Sequence, residues 1–303
     1  MKAQLLTAFG GAENLSFTDV PTPAPAAGQV LVRTAAIGIN SLEWKIRKGW
    51  LEGQFPTPLP AILGKELAGT VEALGPGATG FSIGDRVVGF ADSGAYAQYA
   101  VARPEALALL PDRLSFESAA TLPVAVETAV RGIHGLGVQS GWTVVVNGAA
   151  GAVGSAAVQL LVKQGVTVIG TASLANHSAL AALGAAPVAY GEGVATRIRA
   201  LAPRGVDAVF DVTGHGFAAT AVELTGNPAR VLTIADFAAA ALGIRVSTGR
   251  RIPTAGSFAP LLALAAEGGF RIEIARMFPL ADMAAAHALS ETGHLRGKII
   301  VTV

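Results

Sequence analysis

A short glycine-containing loop between a strand and a helix constrains the fold of this chain more than any other feature. Residues 143–146 are β-branched throughout, and a helical pattern follows from about residue 154. The loop runs Ala149-Ala150-Gly151-Ala152-Val153-Gly154, which matches the dinucleotide fingerprint except for alanine at its first glycine. Gly151 lets the backbone approach a pyrophosphate, and Gly154 lets the helix pack on the strand. The pattern predicts a dinucleotide site at Ala150, Gly151, Ala152, Val153 and Gly154; a tight turn without ligand is the alternative.

Strand and helix patterns alternate in the sequence around this loop. Apolar, β-branched runs predict strands, and apolar residues at helical spacing predict the helices between them. Such alternation is typical of a parallel sheet whose two faces are covered. The predicted strands are residues 143–146, 166–170, 187–190, 208–212 and 230–234. The predicted helices are 116–135, which is broken or capped near Leu122-Pro123, and 154–163, 175–183, 194–201 and 217–224.

The sequence pattern at the two ends of the chain differs from this strand–helix alternation. Residues 30–36, 68–74 and 86–90 are apolar runs separated by Gly, Pro and Asp, which predicts short strands joined by turns. The last fifty residues predict helices near 259–267 and 281–291 and a closing strand over 298–303. We therefore expect a second, β-rich region beside the parallel sheet.

One long uncharged stretch of the sequence is compatible with a membrane-spanning helix. Lys163 is the only charged residue between Arg131 and Glu192, and residues 142–162 are long enough to span a bilayer. Polar residues and glycines interrupt that stretch, and a buried parallel strand followed by its helix gives the same apolar run. We therefore predict a buried strand and helix, and no membrane partner.

Composition excludes several classes of function. The net charge is +1, from 22 basic and 21 acidic residues, which predicts no nucleic-acid partner. The chain has no cysteine, which excludes disulfides, thiolate catalysis and cysteine-bearing zinc sites. The first residues show no signal-peptide pattern. These features together lead us to expect a cytoplasmic protein.

The end of the second strand indicates which nicotinamide cofactor is bound. An acidic residue there accepts from the ribose 2′-hydroxyl of NAD, but residues 169–173 and the next few contain no carboxylate. Ser173, Asn176 and His177 can instead donate to a 2′-phosphate, which favours NADPH. No Arg or Lys accompanies them, and capping of the following helix is the alternative role of Ser173 and Asn176.

Seven sequence motifs lie at residues 35–40, 40–49, 63–69, 84–87, 94–97, 149–154 and 293–298. Together they resemble the medium-chain dehydrogenase/reductase superfamily, in its zinc-independent quinone oxidoreductase branch that includes zeta-crystallin. The resemblance implies an α/β protein in which a Rossmann doubly wound parallel sheet is inserted into a GroES-like β domain. It implies a GroES-like substrate domain over residues 1–115, a Rossmann NADPH-binding domain over 116–250, and a C-terminal segment, 251–303, that returns to the first domain.

The same resemblance predicts that no metal takes part. Zinc-dependent relatives use a histidine where this chain has Lys65 and also use cysteines, of which there are none. The five histidines show no paired ligand spacing. A short-chain dehydrogenase would need a tyrosine followed four residues later by lysine, and Tyr96, Tyr99 and Tyr190 lack that partner.

The resemblance also implies roles for individual residues. Asn40, Trp44 and Lys45 are the catalytic candidates: Asn40 to orient a carbonyl and touch the cofactor, Trp44 to stack on a flat acceptor, and Lys45 to stabilise enolate charge. A turn conformation for Asn40 and a surface or packing role for the other two are the alternatives. Trp50 stands near a position where relatives often have tyrosine. Further cofactor contacts are implied for Thr128, Tyr190, Ile234, Phe237 and Lys298. The alternatives are a bond to its own helix backbone for Thr128, core packing for Tyr190 and a solvent-facing side chain for Lys298.

These inferences predict an NADPH-dependent reductase of quinones or α,β-unsaturated carbonyls. An enoyl or tailoring reductase for one metabolite is the alternative enzyme, and a nucleotide-binding protein with negligible turnover is the alternative outside catalysis. The resemblance implies a homodimer through Rossmann edge strands, for which residues 243–248 are the candidate edge.

Overall fold

The computed structural model describes residues 1–249 and 253–303, and the chain divides into two compact units. The terminal unit combines Met1–Val124 with Ile252–Val303, and the inserted unit spans Ala125–Arg251. Both ends of the chain build the first unit, so the second is an insertion into it. The predicted α/β class with an inserted parallel sheet is confirmed.

The first part of the terminal unit is mostly β-structure. Polar turn residues and prolines separate its apolar runs, as the sequence predicts. Its strands are β1 (Lys2–Leu6), β2 (Leu15–Asp19), β3 (Val30–Ile39), β4 (Ala61–Ile62), β5 (Glu66–Leu74), β6 (Arg86–Phe90), β7 (Tyr99–Ala102) and β8 (Leu107–Leu109), and its helices are α1 (Ser41–Arg47) and α2 (Phe116–Ala119).

The inserted unit alternates strands and helices. Its elements are α3 (Pro123–Leu136), β9 (Thr143–Asn147), α4 (Ala152–Lys163), β10 (Thr167–Ala172), α5 (His177–Ala182), β11 (Ala186–Ala189), α6 (Val194–Leu201), β12 (Ala208–Asp211), α7 (Ala218–Thr225), β13 (Val231–Thr233) and β14 (Arg245–Val246). The chain then returns to the terminal unit through α8 (Ala259–Ala266), β15 (Ile274–Pro279), α9 (Met283–Glu291) and β16 (Lys298–Thr302). Short 3-10 helices cover Ala12–Asn14, Pro104–Ala106, Leu174–Asn176, Pro228–Arg230, Phe237–Leu242, Ala255–Ser257 and Leu280–Asp282.

The terminal unit is organised around β3. One sheet has the order β15-β16-β3-β5-β6-β8, with β7 also paired to β3, and a smaller sheet has the order β2-β1-β4. The C-terminal strand β16 lies between β3, to which it is antiparallel, and β15, to which it is parallel. This pairing extends β3 to Ile39, three residues past the predicted strand.

The inserted sheet is parallel throughout, in the order β11-β10-β9-β12-β13-β14. The chain moves outward from β9 through β10 to β11 and then crosses back to β12. Ligands of open α/β sheets bind at the carboxyl ends of the strands where the order reverses. The carboxyl ends of β9, β10 and β12 therefore form the edge of the sheet where a ligand is expected.

The uncharged stretch forms the buried centre of this sheet. Every residue of β9 is buried, and α4 follows it as the covering helix. In the described part of the chain, no helix has both the length and the apolar character needed to cross a bilayer. The helical pattern over 116–135 is broken near Leu122-Pro123, as predicted. It forms α2 and α3, and α3 begins at Pro123, because proline fits the first turn of a helix but not its interior.

Candidate functional site

The glycine loop begins with a turn that only glycine accommodates easily. Gly148 follows β9 with φ +84°, and its N–H donates to Thr171 Oγ1 at 3.0 Å. A Cβ there would lie 2.1 Å from Thr213 Cγ2. The left-handed backbone and the close neighbour both fix glycine at the point where the chain leaves the sheet.

The next two glycines have different neighbours. A Cβ on Gly154 would lie 2.2 Å from the Gly148 carbonyl oxygen, so its absence lets α4 pack closely on the loop. A Cβ on Gly151 would meet only that same oxygen, at 3.7 Å. The protein itself leaves open space at Gly151, directly before the first turn of α4, whose leading N–H groups have no partner within the helix. This open space beside helix N–H groups fits a pyrophosphate.

A buried polar network lies beneath the loop, and the sequence reasoning missed it. Asn147 donates to Asp211 Oδ1 at 2.8 Å and accepts from Thr171 Oγ1 at 2.6 Å, while Thr233 Oγ1 donates to Asp211 Oδ2 at 2.8 Å. All four side chains are at most 6% exposed. Each of these residues is the last or the last but one of its strand, in β9, β10, β12 and β13. The network therefore fixes the carboxyl ends of four neighbouring strands. A polar residue at the end of an apolar strand was the sequence signal that could have indicated this network.

The candidate residues for the adenosine end of the cofactor follow β10 and β11. Ala172 and Ala189 are register partners, so Ser173 and Tyr190 both come directly after a paired position at one edge of the sheet. Ser173 Oγ accepts from Asn176 Nδ2 at 3.1 Å, which leaves the serine hydroxyl proton available to donate. Tyr190 is 53% exposed, so it does not pack in the core. His177 Nε2 is buried without a hydrogen-bond partner among the described residues.

The other cofactor candidates of the inserted unit occupy separate elements. Thr128 lies on α3, is 7% exposed, and has only long contacts of 3.5 Å to Glu127 and Arg131. Ile234 follows β13 and its N–H donates to the Asp211 carbonyl oxygen at 3.1 Å. Phe237 begins a 3-10 turn that is capped by the Asp236 carboxylate. These contacts place Ile234 beside the polar network, and the cofactor roles of Thr128, Ile234 and Phe237 all stay predictions.

Asn40 is the centre of a charged cluster in the terminal unit. Its Nδ2 donates to Glu43 Oε1 at 3.1 Å and to Glu66 Oε1 at 2.9 Å, and its Oδ1 accepts from Lys298 Nζ at 2.6 Å. Lys298 also forms an ion pair with Glu66, whose second oxygen accepts from the Val124 N–H at 2.7 Å. Lys298 is 3% exposed, so its side chain does not face solvent.

Burial changes the acidity of this cluster. It raises the pKa of Glu43 to about 7, although the hydrogen bonds from Asn40 and the charge of Lys298 oppose that rise. Glu66 is equally buried but has Lys298 as its direct counter-ion. Neither glutamate was a candidate from the sequence. The partners of Glu66 lie far away along the chain, whereas Glu43 is bonded to Asn40, three residues before it, and this capping-box spacing was the available signal.

Trp44 and Lys45 lie on α1, the helix that begins directly after Asn40. The Trp44 and Trp50 rings meet edge to face with centroids 5.5 Å apart, and Trp50 is 64% exposed. Lys45 Nζ lies 5.6 Å from the Trp44 ring, and burial lowers the pKa of this lysine. Lys48 Nζ lies 5.3 Å from the Trp44 ring and pairs with Glu291. The two predicted catalytic side chains therefore share one aromatic and cationic surface.

A second buried network anchors the other end of α1. Arg47 is fully buried; its Nε donates to His287 Nδ1 at 3.3 Å, its Nη1 donates to the Gly10 carbonyl oxygen at 2.6 Å, and it pairs with Glu291. Because Nδ1 accepts, His287 Nε2 carries the proton and donates to the Tyr96 hydroxyl at 2.9 Å. Burial and the charge of Arg47 lower the pKa of His287 to about 3, so the ring stays neutral.

The metal-ligand chemistry of the zinc-dependent enzymes finds no counterpart in residues 1–249 and 253–303. No group of three or more His, Cys, Asp or Glu side chains there could hold a metal ion.

Two family models match the chain. Residues 26–112 match the alcohol dehydrogenase GroES-like domain, and residues 183–301 match the zinc-binding dehydrogenase model. The first match lies in the terminal unit, which confirms its predicted GroES-like character.

Curated relatives point to one branch. The chain is 38% identical to human quinone oxidoreductase over 175 residues, which cover 57% of this chain and 53% of that protein. It is 36% identical to the human synaptic vesicle membrane protein VAT-1 homolog over 239 residues, which cover 77% of this chain and 60% of that protein. The matched region thus spans about half the length of the curated relatives.

Solved structures match over the whole chain. The quinone oxidoreductase of Coxiella burnetii is 31% identical with a TM-score of 0.86, covering 100% of this chain and 99% of that one. An NAD-dependent alcohol dehydrogenase is 30% identical with a TM-score of 0.88, and mycobacterial Rv1454c complexed with NADPH is 29% identical with a TM-score of 0.86; both matches cover 100% of each chain. The chain belongs to the quinone oxidoreductase branch of the medium-chain dehydrogenase/reductase superfamily.

Proposed function

We propose that this protein is an NADPH-dependent reductase that transfers hydride to quinones or α,β-unsaturated carbonyls without a metal. The observation that carries the proposal is the glycine loop: open space at Gly151, close packing at Gly154 and the start of α4 at the reversal point of a parallel sheet. The relatives that bind NADPH or NAD support a nicotinamide cofactor at this loop.

The inserted unit would hold the cofactor. The first turn of α4 and the backbone of Ala150 to Gly154 would bind the pyrophosphate, because helix N–H groups and their partial positive charge favour phosphate. Ser173, Asn176, His177 and Tyr190 would surround the adenosine ribose, and Thr128, Ile234 and Phe237 would contact the nicotinamide half. When bound, NADPH supplies the hydride.

The terminal unit would handle the acceptor. Trp44 offers a ring for stacking on a flat quinone or enone, and Lys45 lies beside that ring. The negative oxygen that forms after hydride addition needs a proton and a positive neighbour. Because burial lowers the pKa of Lys45, this ammonium gives up its proton more readily than an exposed lysine would. Lys45 would therefore stabilise the oxygen and protonate it, which replaces the Lewis acid of the zinc-dependent relatives.

Asn40 and Lys298 would act mainly by positioning. Both N–H groups of the Asn40 amide already donate to carboxylates, so contact with a substrate carbonyl requires one of these bonds to be exchanged. Their cluster fixes the start of α1 and thereby the place of Trp44 and Lys45. The same proposal includes a cytoplasmic location and a homodimer through β14, which ends the inserted sheet.

Turnover with a panel of acceptors tests the proposal. We expect the purified protein to consume NADPH with quinones and enones, as followed by the loss of NADPH absorbance. Lys45→Gln should lower kcat about a hundredfold, the smaller end of general acid–base effects, while the NADPH dissociation constant stays unchanged. Binding of NADPH without turnover across the panel would contradict the reductase and favour a nucleotide-binding protein.

A further inference from the structure

A guanidinium group lies at the carboxyl end of β11, although no Arg or Lys accompanies Ser173, Asn176 and His177 in the sequence. Arg197 on α6 reaches back to the preceding loop: Nη2 donates to the Ala189 carbonyl oxygen at 2.9 Å, and Nη1 donates to that of Glu192 at 2.8 Å. Longer contacts of 3.5 Å and 3.4 Å reach the carbonyl oxygens of Tyr190 and Gly191. Main-chain oxygens therefore hold this charge in place.

No carboxylate neutralises this arginine. Among the ion pairs of the described residues, none includes Arg197, although Glu192 is exposed in the same loop. Its neighbour Arg199, on the same helix, pairs with Glu223 at 2.5 Å. Nη1 carries two N–H groups and makes one protein contact, so a donor and a full positive charge remain for a ligand.

The position of this charge relates it to the adenosine ribose. Ala189, whose oxygen Arg197 holds, is the register partner of Ala172 on β10. Neighbouring strands lie about 4.8 Å apart, so the loop that Arg197 holds begins next to the end of β10, where Ser173 follows. In dinucleotide-binding sheets the ribose 2′ position is recognised at the end of this second strand. Ser173 Oγ–H and the Asn176 amide supply neutral donors at the same edge.

We propose that Arg197 binds the 2′-phosphate of NADPH and sets the preference for NADPH over NADH. This inference rests on the proposed function, because it assumes a nicotinamide cofactor at the glycine loop. A guanidinium pairs strongly with a phosphate and gains nothing comparable from the ribose hydroxyl of NADH. The sequence motif misses the residue because the cation comes from the helix after β11 rather than from the loop after β10.

Two matched substitutions test the inference in the full-length protein. We expect Arg197→Met to weaken NADPH binding about 10- to 100-fold, the range of a hydrogen bond to a charged group, and to change NADH binding less than about twofold. Arg199→Met, which removes the same charge from the same helix, should leave both dissociation constants unchanged. Arg197→Lys should retain part of the preference. Cofactor fluorescence titrations measure the constants, and thermal unfolding verifies the fold of each variant.

The alternative is that Arg197 only braces the loop through its carbonyl oxygens. In that case Arg197→Met would weaken NADPH and NADH equally, and this outcome overturns the inference. An unchanged NADPH preference in Arg197→Met overturns it as well, while leaving the proposed function intact. A wild-type protein that binds neither cofactor overturns both.

Discussion

Gly151 and Gly154 are three residues apart in the glycine-containing segment, yet they have different surroundings. The same substitution is therefore expected to have different effects at the two positions. A Cβ on Gly154 would lie within 2.9 Å of three backbone atoms of Gly148 and Ala149, which cannot move without displacing α4. A Cβ on Gly151 has only an ordinary contact at 3.7 Å. One glycine therefore serves the packing of the protein, and the other keeps space free for what approaches from outside.

Alanine at each position separates these roles. We expect Gly154→Ala to lower the free energy of unfolding by about 1–3 kcal/mol, as overpacking does, and Gly151→Ala to leave it within about 0.5 kcal/mol. Gly151→Ala should instead weaken NADPH binding, because its methyl group occupies the pyrophosphate space. Urea unfolding and cofactor titration measure the two effects. Equal destabilisation by both variants would contradict this assignment.

Glu43 gives the folded protein a specific pH dependence. Burial raises its pKa from the ordinary 4.5 to about 7. Below pH 4.5 the carboxyl group is protonated in the folded and the unfolded chain. As the pH rises from 4.5 to 7, the unfolded chain loses the proton first, so this stabilising contribution declines and is lost above pH 7.

The Glu43→Gln variant removes this titration. Between pH 4.5 and pH 8, the free energy of unfolding of the wild type should fall by roughly 3 kcal/mol relative to the variant, since each pKa unit corresponds to about 1.4 kcal/mol. Urea unfolding of both proteins across this pH range measures the difference. A difference that does not vary with pH would show that Glu43 has an ordinary pKa.

At the scale of elements, α1 depends on its anchors. Ser41–Arg47 is a single seven-residue helix, which is too short to be stable alone. Asn40 holds its first turn to Glu66 and Lys298, and Arg47 holds its last turn to His287 and Glu291. Trp44 and Lys45 lie between these anchors, so two buried polar networks decide where the predicted catalytic side chains lie.

This arrangement explains which features could be predicted from sequence. The glycine loop and the strand–helix alternation are local patterns, and the inserted sheet follows from them. The anchors of α1 are not local: Asn40 and Lys298 are 258 residues apart, and Arg47 and His287 are 240 apart. No periodicity reports such pairs, so Arg47 and His287 were missed and Lys298 was placed only by resemblance. For the same reason β3 extends beyond its predicted end, since its partner is the last strand of the chain.

At the scale of the whole molecule, the sheet of the terminal unit is complete only with its last strand, β16. β16 lies inside its sheet between β3 and β15, and Lys298 at its start neutralises the buried Glu66. The inserted unit has its own core, whose buried members all lie between Val145 and Ile244. The terminal unit therefore depends on β16 to complete its sheet, whereas the core of the inserted unit contains no residue of that strand.

Removal of residues 298–303 should consequently unfold one unit and spare the other. Without β16, the edge of β3 loses its hydrogen bonds and Glu66 becomes an unpaired buried charge, which alone costs about 3–5 kcal/mol. We expect amide hydrogen exchange in β3 and β5 to become fast, while β9, β10 and β12 stay protected. Removing only the exposed Val303 serves as the control and should leave exchange unchanged. Persistent protection of β3 and β5 in the shortened chain would show that the terminal unit closes without its last strand.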